Sequence, residues 1–244
     1  HGSRGPLRDR AGSRSIRPWS HRRRLAGAID AVRAARSASA VRREAGGQPT
    51  LPDVVDVNTP PPAAAEVTEL LQSLIRNQCV NDGHMASGNE VRSADLLRTY
   101  LEGSGLDLET YEPAPGRTSL VTRIEGSDPD APTLLLMGHT DVVPVTPDGW
   151  REDPFGGDVV DGEVWGRGAV DMLNLTASMA VAVKELARSG YLPRGTLVYL
   201  AVADEEALGT YGARHLVERE RDAVVADYVI TESGGIPIPS PAGV

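Results

Sequence analysis

The stretch Thr133-Leu134-Leu135-Leu136-Met137-Gly138-His139-Thr140-Asp141 constrains this chain more than any other. Its apolar residues 134–137 run without alternation, which predicts a short strand buried on both faces. The run ends at Gly138, and a His and an Asp come next, two positions apart. In extended backbone, positions i and i+2 point to the same side. His139 and Asp141 are therefore expected to leave the carboxyl end of a buried strand side by side. Ligand sites in open α/β sheets gather at that end. A carboxylate beside an imidazole also fixes its tautomer and raises its basicity, as a metal-binding His requires. An isolated His-x-Asp is more often an incidental turn, so the weight of the motif rests on the residues downstream of it in the chain.

The rest of the sequence reads as alternating strands and helices. Val67, Leu70, Leu71, Leu74 and Ile75 have the spacing of an amphipathic helix over residues 63–78. A second helix is expected over 89–101, stopped by Gly103 and Gly105. Strands are expected at 107–111, 119–124 and 133–137. The Asp161-Gly162 pair, flanked by valines, predicts a small hairpin. A helix rich in small residues should run from Asp171 to Arg188. The apolar run 196–202 is another strand, ending in Asp204-Glu205-Glu206. A helix over 211–220 and a strand at 228–230 come after it, the latter ending at Thr231-Glu232. This order gives an α/β class with a largely parallel, buried sheet. His84, in the turn 81–84, and His215, on a helix, read as surface residues.

Charge divides the chain. Residues 1–44 hold 12 of the 25 basic residues and three of the 34 acidic ones, Asp9, Asp30 and Glu44. Arginine, serine and alanine with few acids suit a transit peptide, a basic nucleic-acid arm or a non-native extension. With Trp19 as the only aromatic, nucleic-acid binding is disfavoured. Residues 1–50 are accordingly expected to be a disordered or non-native extension, in which the composition allows a short helix over 25–36. A proline-rich link leads to a metal-dependent catalytic domain over 51–240. No apolar run approaches the roughly 18 residues needed to span a bilayer, so no membrane partner is expected. The single cysteine, Cys79, rules out an intrachain disulfide and a thiolate cluster. That usage suits the cytoplasm.

Three apolar strands thus end in His139/Asp141, Glu205/Glu206 and Glu232, and Asp171 sits where a glycine-containing loop enters a helix. In a parallel sheet these ends share one rim. Converging carboxylates resist ionisation unless a cation lies among them. An oxygen and nitrogen donor set without thiolate favours zinc, manganese or cobalt. Together the pattern points to a dinuclear hydrolase site.

These motifs resemble those of the zinc metallopeptidase and amidohydrolase family that includes carboxypeptidase G, aminoacylase and succinyl-diaminopimelate desuccinylase. The matching stretches are Met137 to Pro144, Trp165 to Met172, Asp204-Glu205-Glu206 and Thr231-Glu232-Ser233-Gly234-Gly235. The resemblance implies a three-layer α/β sandwich with a mostly parallel central sheet, of the phosphorylase/hydrolase-like, di-zinc exopeptidase type. It implies two zinc ions, with cobalt or manganese as alternatives. His139 and Glu232 would ligate one ion and Glu206 the other, with Asp171 bridging them. Asp141 would support the His139 ring, and Glu205 would be the general base. Since neighbouring strand residues face opposite sides, only one of Glu205 and Glu206 is expected to face the metals. A cis peptide bond is implied at Asp171–Met172. The substrate class would be a small peptide or an N-acyl amino acid, cleaved at an amide bond.

Two departures from the family pattern stand out. Leu173 and Asn174 come after Asp171-Met172 where the family has a lysine. The family also continues into a lid domain, used for homodimerisation, and later supplies a further His ligand. On this reading residues 241–244 begin the connection to a lid domain that is missing here. Neither His84 nor His215 is placed to replace the further His, so turnover by this chain is expected to be low. The rival reading is a non-catalytic homologue that binds a metal or ligand.

Overall fold

The computed structural model describes residues 62–146 and 148–232. The basic segment, the 25–36 helix, the proline-rich link before Pro62 and residues 233–244 lie outside the described residues.

The two amphipathic patterns near the start form helices α1 (Pro62–Arg76) and α2 (Val91–Leu101). Strands β1 (Leu108–Ala114) and β2 (Arg117–Ile124) follow, then β3 (Leu134–His139). A short hairpin, β4 (Val159–Val160) and β5 (Glu163–Val164), precedes the long helix α3 (Leu173–Arg188). Next come β6 (Leu197–Val202), a single 3-10 turn (Glu205–Ala207), α4 (Ala213–Arg219), α5 (Arg221–Val224) and β7 (Tyr228–Ile230).

The central sheet has the order β1-β2-β6-β3-β7. β3 and β7 run parallel to β6 and β3 respectively, while β2 is antiparallel to both β1 and β6. Four of the sheet's five described strands therefore point the same way, and the α/β class with a mostly parallel sheet is borne out. Alternation along the strands builds a core on each face. Leu120, Tyr199 and Ala201 pack with residues of α1, α2 and α3. Val121, Leu135, Val198, Leu200 and Val202 pack with Leu216, Ala223 and Val224 of α4 and α5. Helices thus cover both faces.

Polar contacts pin the first layer together. Tyr100 of α2 donates to Glu66 of α1 at 2.7 Å, and Lys184 of α3 donates to the same carboxylate at 3.1 Å. Lys184 also lies 3.5 Å from the centroid of the Tyr100 ring. One acid on α1 therefore ties three helices, and these two hydrogen bonds hold its pKa below the ordinary value.

β6 is buried more deeply than β3. Val198 to Val202 are each at most 1% exposed. In β3, Leu135 is buried, whereas Leu134, Leu136 and Met137 are half-buried. The cause is the neighbour on the outer side: β7 has only three residues, all exposed. β1 also runs further than its apolar pattern suggests, because a register irregularity carries it to Ala114, where it turns over Pro115-Gly116 into β2. The Asp161-Gly162 hairpin forms as expected, with φ of 54° and 84° at the two turn residues.

Leu97, fully buried between α2 and its neighbours, gives a direct test of this packing. Leu97→Ala should lower the unfolding free energy by about 2–5 kcal/mol, read as a lower urea midpoint at unchanged m-value.

Candidate metal centre

Strand register brings the candidate residues level. His139 is the last residue of β3 and pairs with Val202, the last of β6. Leu136 pairs with Ile230, two residues before Glu232. Consequently Glu205, Glu206 and Glu232 all leave the sheet beside His139.

Helix α3 closes on this rim from one face. A Cβ on Gly138 would lie 2.4 Å from Thr176 Oγ1 and 3.1 Å from Thr176 Cα. Only a residue without a side chain lets the helix come so close. The approach lets Thr176 Oγ1 donate to the His139 carbonyl at 2.7 Å, while Tyr199 donates to the Thr176 carbonyl at 3.0 Å. The loop entering α3 carries Asp171 to the same rim, and the Asp171–Met172 peptide bond is cis.

His139 is buried, and its ring is held at both nitrogens. Nδ1 lies 2.8 Å from the backbone carbonyl of Asp141. A carbonyl can only accept, so Nδ1 carries a proton, and Nε2 is the ring nitrogen that faces the rim. Nε2 then faces Asp171 Oδ1 at 3.0 Å, Glu232 Oε2 at 3.6 Å and Glu205 Oε2 at 3.9 Å. Among the described residues, two groups each have their potential donor atoms within 4.8 Å of one another: His139 with Glu205 and Glu232, and His139 with Asp171 and Glu206. All the residues expected as ligands or general base therefore meet in one small volume.

Two details differ from expectation. The support for the His139 ring comes from the Asp141 carbonyl, with the nearer carboxylate oxygen 3.7 Å from Nδ1. The Asp141 carboxylate instead accepts from the backbone N–H groups of Glu205 at 3.1 Å and Glu206 at 3.0 Å, and from Asn81 Nδ2 at 2.8 Å. The second difference is that both glutamates, not one, reach the His139 rim. Strand alternation does not extend to them, because Asp204 takes a left-handed conformation (φ 64°, ψ 23°) and residues 205–207 form a 3-10 turn. His84 is an exposed loop residue and His215 lies on α4, and neither belongs to the two donor sets.

The electrostatics fit a cation. Burial raises the pKa of Glu206, and the charges of Asp171, Asp141 and Glu205 raise it further, against a lowering effect from His139. Glu232 is also raised, by burial first and then by its hydrogen bond with Asp171 and the surrounding negative charge. Burial alone would lower the His139 pKa, but the carboxylates of Asp141, Asp171 and Glu205 outweigh it and the net direction is upward. A set of one imidazole and several carboxylates, without thiolate, suits a divalent cation.

Sequence reasoning missed a buried polar cluster behind the rim. It comprises Asn81, Glu90, Arg117 and Asp204, each at most 2% exposed. Asp204 stood inside a recognised motif without a role. Arg117 opens a strand and Glu90 precedes a helix, positions that ordinarily face water, so local pattern carried no sign of their burial.

Residues 135–240 match peptidase family M20/M25/M40. The resemblance read from the motifs is borne out. A succinyl-diaminopimelate desuccinylase of Maricaulis maris is 34% identical over 154 residues, covering 63% of this chain and 37% of the relative. Carboxypeptidase S of Saccharomyces cerevisiae is 43% identical over 117 residues, 45% of this chain and 20% of that protein. The chain thus spans little more than a third of the first of these relatives and a fifth of the second. Among solved structures, an M20 family metallo-carboxypeptidase from Sulfolobus solfataricus superposes with a TM-score of 0.57 at 23% identity. That match covers 75% of this chain and 39% of the other, and it supports the fold.

The raised pKa values set the sign of a pH effect. Folded Glu206 and Glu232 hold protons above their ordinary value of 4.5, and folded His139 above 6.5. These three groups therefore bind more protons in the folded state than in the unfolded one, and their contribution to stability falls as pH rises through these ranges. In chelator, urea titrations across pH should show this fall, with a shallower slope in Glu206→Gln. An equal slope in both would contradict the assignment of raised carboxylates.

Proposed function

We propose that this chain carries the metal-binding catalytic region of an amide hydrolase acting on a small peptide or an N-acyl amino acid. The observation that carries the reading is the convergence of His139, Asp171, Glu205, Glu206 and Glu232 within one small volume at the sheet rim. The family match and the relatives' names as desuccinylase and carboxypeptidase support it.

In this proposal His139 and Glu232 hold one zinc ion, Glu206 holds a second, and Asp171 lies between them; cobalt or manganese would serve the same donors. Asp171 suits a bridging place because it reaches His139 Nε2 on one side and hydrogen-bonds Glu232 on the other. A bound pair of divalent ions would polarise the scissile carbonyl and acidify water. The protein's own task is then proton transfer. Glu205 is the candidate to take a proton from the attacking water and deliver it to the leaving nitrogen. Its backbone is fixed by Asp141 while its carboxylate is 44% exposed, open to an incoming substrate. The Nδ1–H of His139, held by the Asp141 carbonyl, keeps Nε2 available as a donor atom. Cys79, free and buried, goes with a cytoplasmic setting in the same proposal. No helix among the described residues is long and apolar enough to cross a membrane.

Zinc at about one hundred times its Kd should stabilise the fold by about 2.7 kcal/mol, read as a higher melting temperature. His139→Ala should abolish that shift. Glu205→Gln should keep the shift and lose the chelator-sensitive release of amino acids from dipeptides or N-acyl amino acids. Absence of a thermal shift with zinc, cobalt and manganese alike would overturn the reading.

A further inference from the structure

We propose that Arg117 is a positioning residue for the metal centre, acting through Asn81, Asp204 and Asp141 to hold the Glu205–Glu206 turn in its ligating conformation. This rests on the reading of His139, Asp171, Glu206 and Glu232 as metal donors.

The starting observation is the cost of placing a guanidinium where Arg117 lies. Its side chain is 1% exposed, and that of its partner Glu90 is 0% exposed. A buried charge persists only when several groups satisfy it. Arg117 Nη1 donates to Glu90 Oε1 at 2.7 Å and lies 3.5 Å from Asp204 Oδ1. Nη2 donates to the His84 carbonyl at 2.9 Å and to Asn81 Oδ1 at 3.3 Å. The chain is shaped to admit it: a Cβ on Gly88 would lie 2.0 Å from Nη1. Four acceptors in different directions suit the planar fork of arginine and not the point charge of lysine.

From this hub two routes lead to the ligating turn. By the first, Asp204 donates its backbone N–H to Glu90 Oε1 at 3.2 Å, so Glu90 holds both Arg117 and the residue before the turn. Asp204 also closes the loop beyond, its carboxylate accepting from Tyr211 N at 2.9 Å and its carbonyl from Gly209 N at 2.7 Å. By the second, Asn81, oriented by Arg117 at its Oδ1, donates through Nδ2 to Asp204 Oδ1 at 3.1 Å and to Asp141 Oδ2 at 2.8 Å. Asp141 then takes the N–H groups of Glu205 and Glu206. The left-handed backbone at Asp204 is the step that swings both glutamates towards His139. A non-glycine residue keeps such a conformation when its surroundings over-determine it, and here both the N–H and the carboxylate of Asp204 are held by this cluster.

A merely structural ion pair would affect stability alone, whereas a positioning role predicts a change in the metal's own signature. Cobalt(II) added to the metal-free 244-residue chain should give visible absorption bands whose intensity reports coordination geometry, and a titration gives its affinity. Arg117→Lys should lower cobalt affinity at least about tenfold, the usual range for a group that orients metal ligands, and weaken the bands. Asn81→Ala should do the same by cutting the second route, and it serves if Arg117→Lys does not fold. Leu97→Ala, outside the cluster, should lose stability yet keep cobalt affinity within about twofold, as distant sites act independently. Wild-type bands and affinity in a folded Arg117→Lys or Asn81→Ala chain would overturn the proposal while leaving the metal centre intact. Failure of the wild-type chain to bind cobalt would overturn the metal centre and, with it, this role.

Discussion

The carboxylate of Asp141 receives three N–H donors, one from the side chain of Asn81 and two from the backbone of Glu205 and Glu206. The rest of the rim depends on this convergence. The carboxylate lies one strand-end away from His139, and its own backbone carbonyl orients the His139 ring. A single residue therefore sets two unlike donors: the imidazole through its main chain and the glutamate turn through its side chain. Hydrogen bonds to an ionised acceptor are stronger than neutral ones, and the surroundings exclude water from most of this residue. The glycine at position 138 adds the third constraint, since it lets α3 seat Thr176 against the carbonyl of His139.

Such an arrangement gathers negative charge that the protein alone does not neutralise. Burial and mutual repulsion push Glu206 and Glu232 towards their protonated forms, and the carboxylates pull His139 towards its protonated one. These directions are opposed to what a metal ligand requires, namely ionised carboxylates and neutral imidazole. A divalent cation resolves the conflict for all of them at once. The polar cluster behind the rim works differently. There Arg117 supplies a permanent positive charge among Glu90 and Asp204, so that part of the molecule is organised before any ion arrives.

Much of the fold was legible because its signals are local. Apolar runs, helical spacing and turn residues named every main strand and helix to within a few positions. The convergence of the candidate residues was legible because strand ends in a parallel sheet share a rim, and because the motifs occur in family order. What was not legible depends on tertiary placement. Alternation was extended from β6 through Glu205 and Glu206, but a left-handed residue at Asp204 breaks the period before it reaches them. The uninterrupted leucines of β3 read as buried on both faces, yet burial is decided by how long the neighbouring strand is, which no pattern within β3 records. Arg117 and Glu90 look like surface residues, since a charge carries no mark of the partner that will bury it.

The residues of the candidate centre are far apart in the chain, at 139, 171, 205, 206 and 232, and the register of β6, β3 and β7 helps to bring them together. This has a consequence for the order of events during synthesis. Strand β3 can pair with β6 only after α3 has emerged, and Glu232 joins the rim only when β7 has added to the outer edge. Closing such long loops is entropically slow and precedes the contacts that reward it. A nascent chain would therefore have its hydrophobic layers in place before it has a complete set of donors. Capture of an ion by these residues would then come after β3 has paired with β6 and β7.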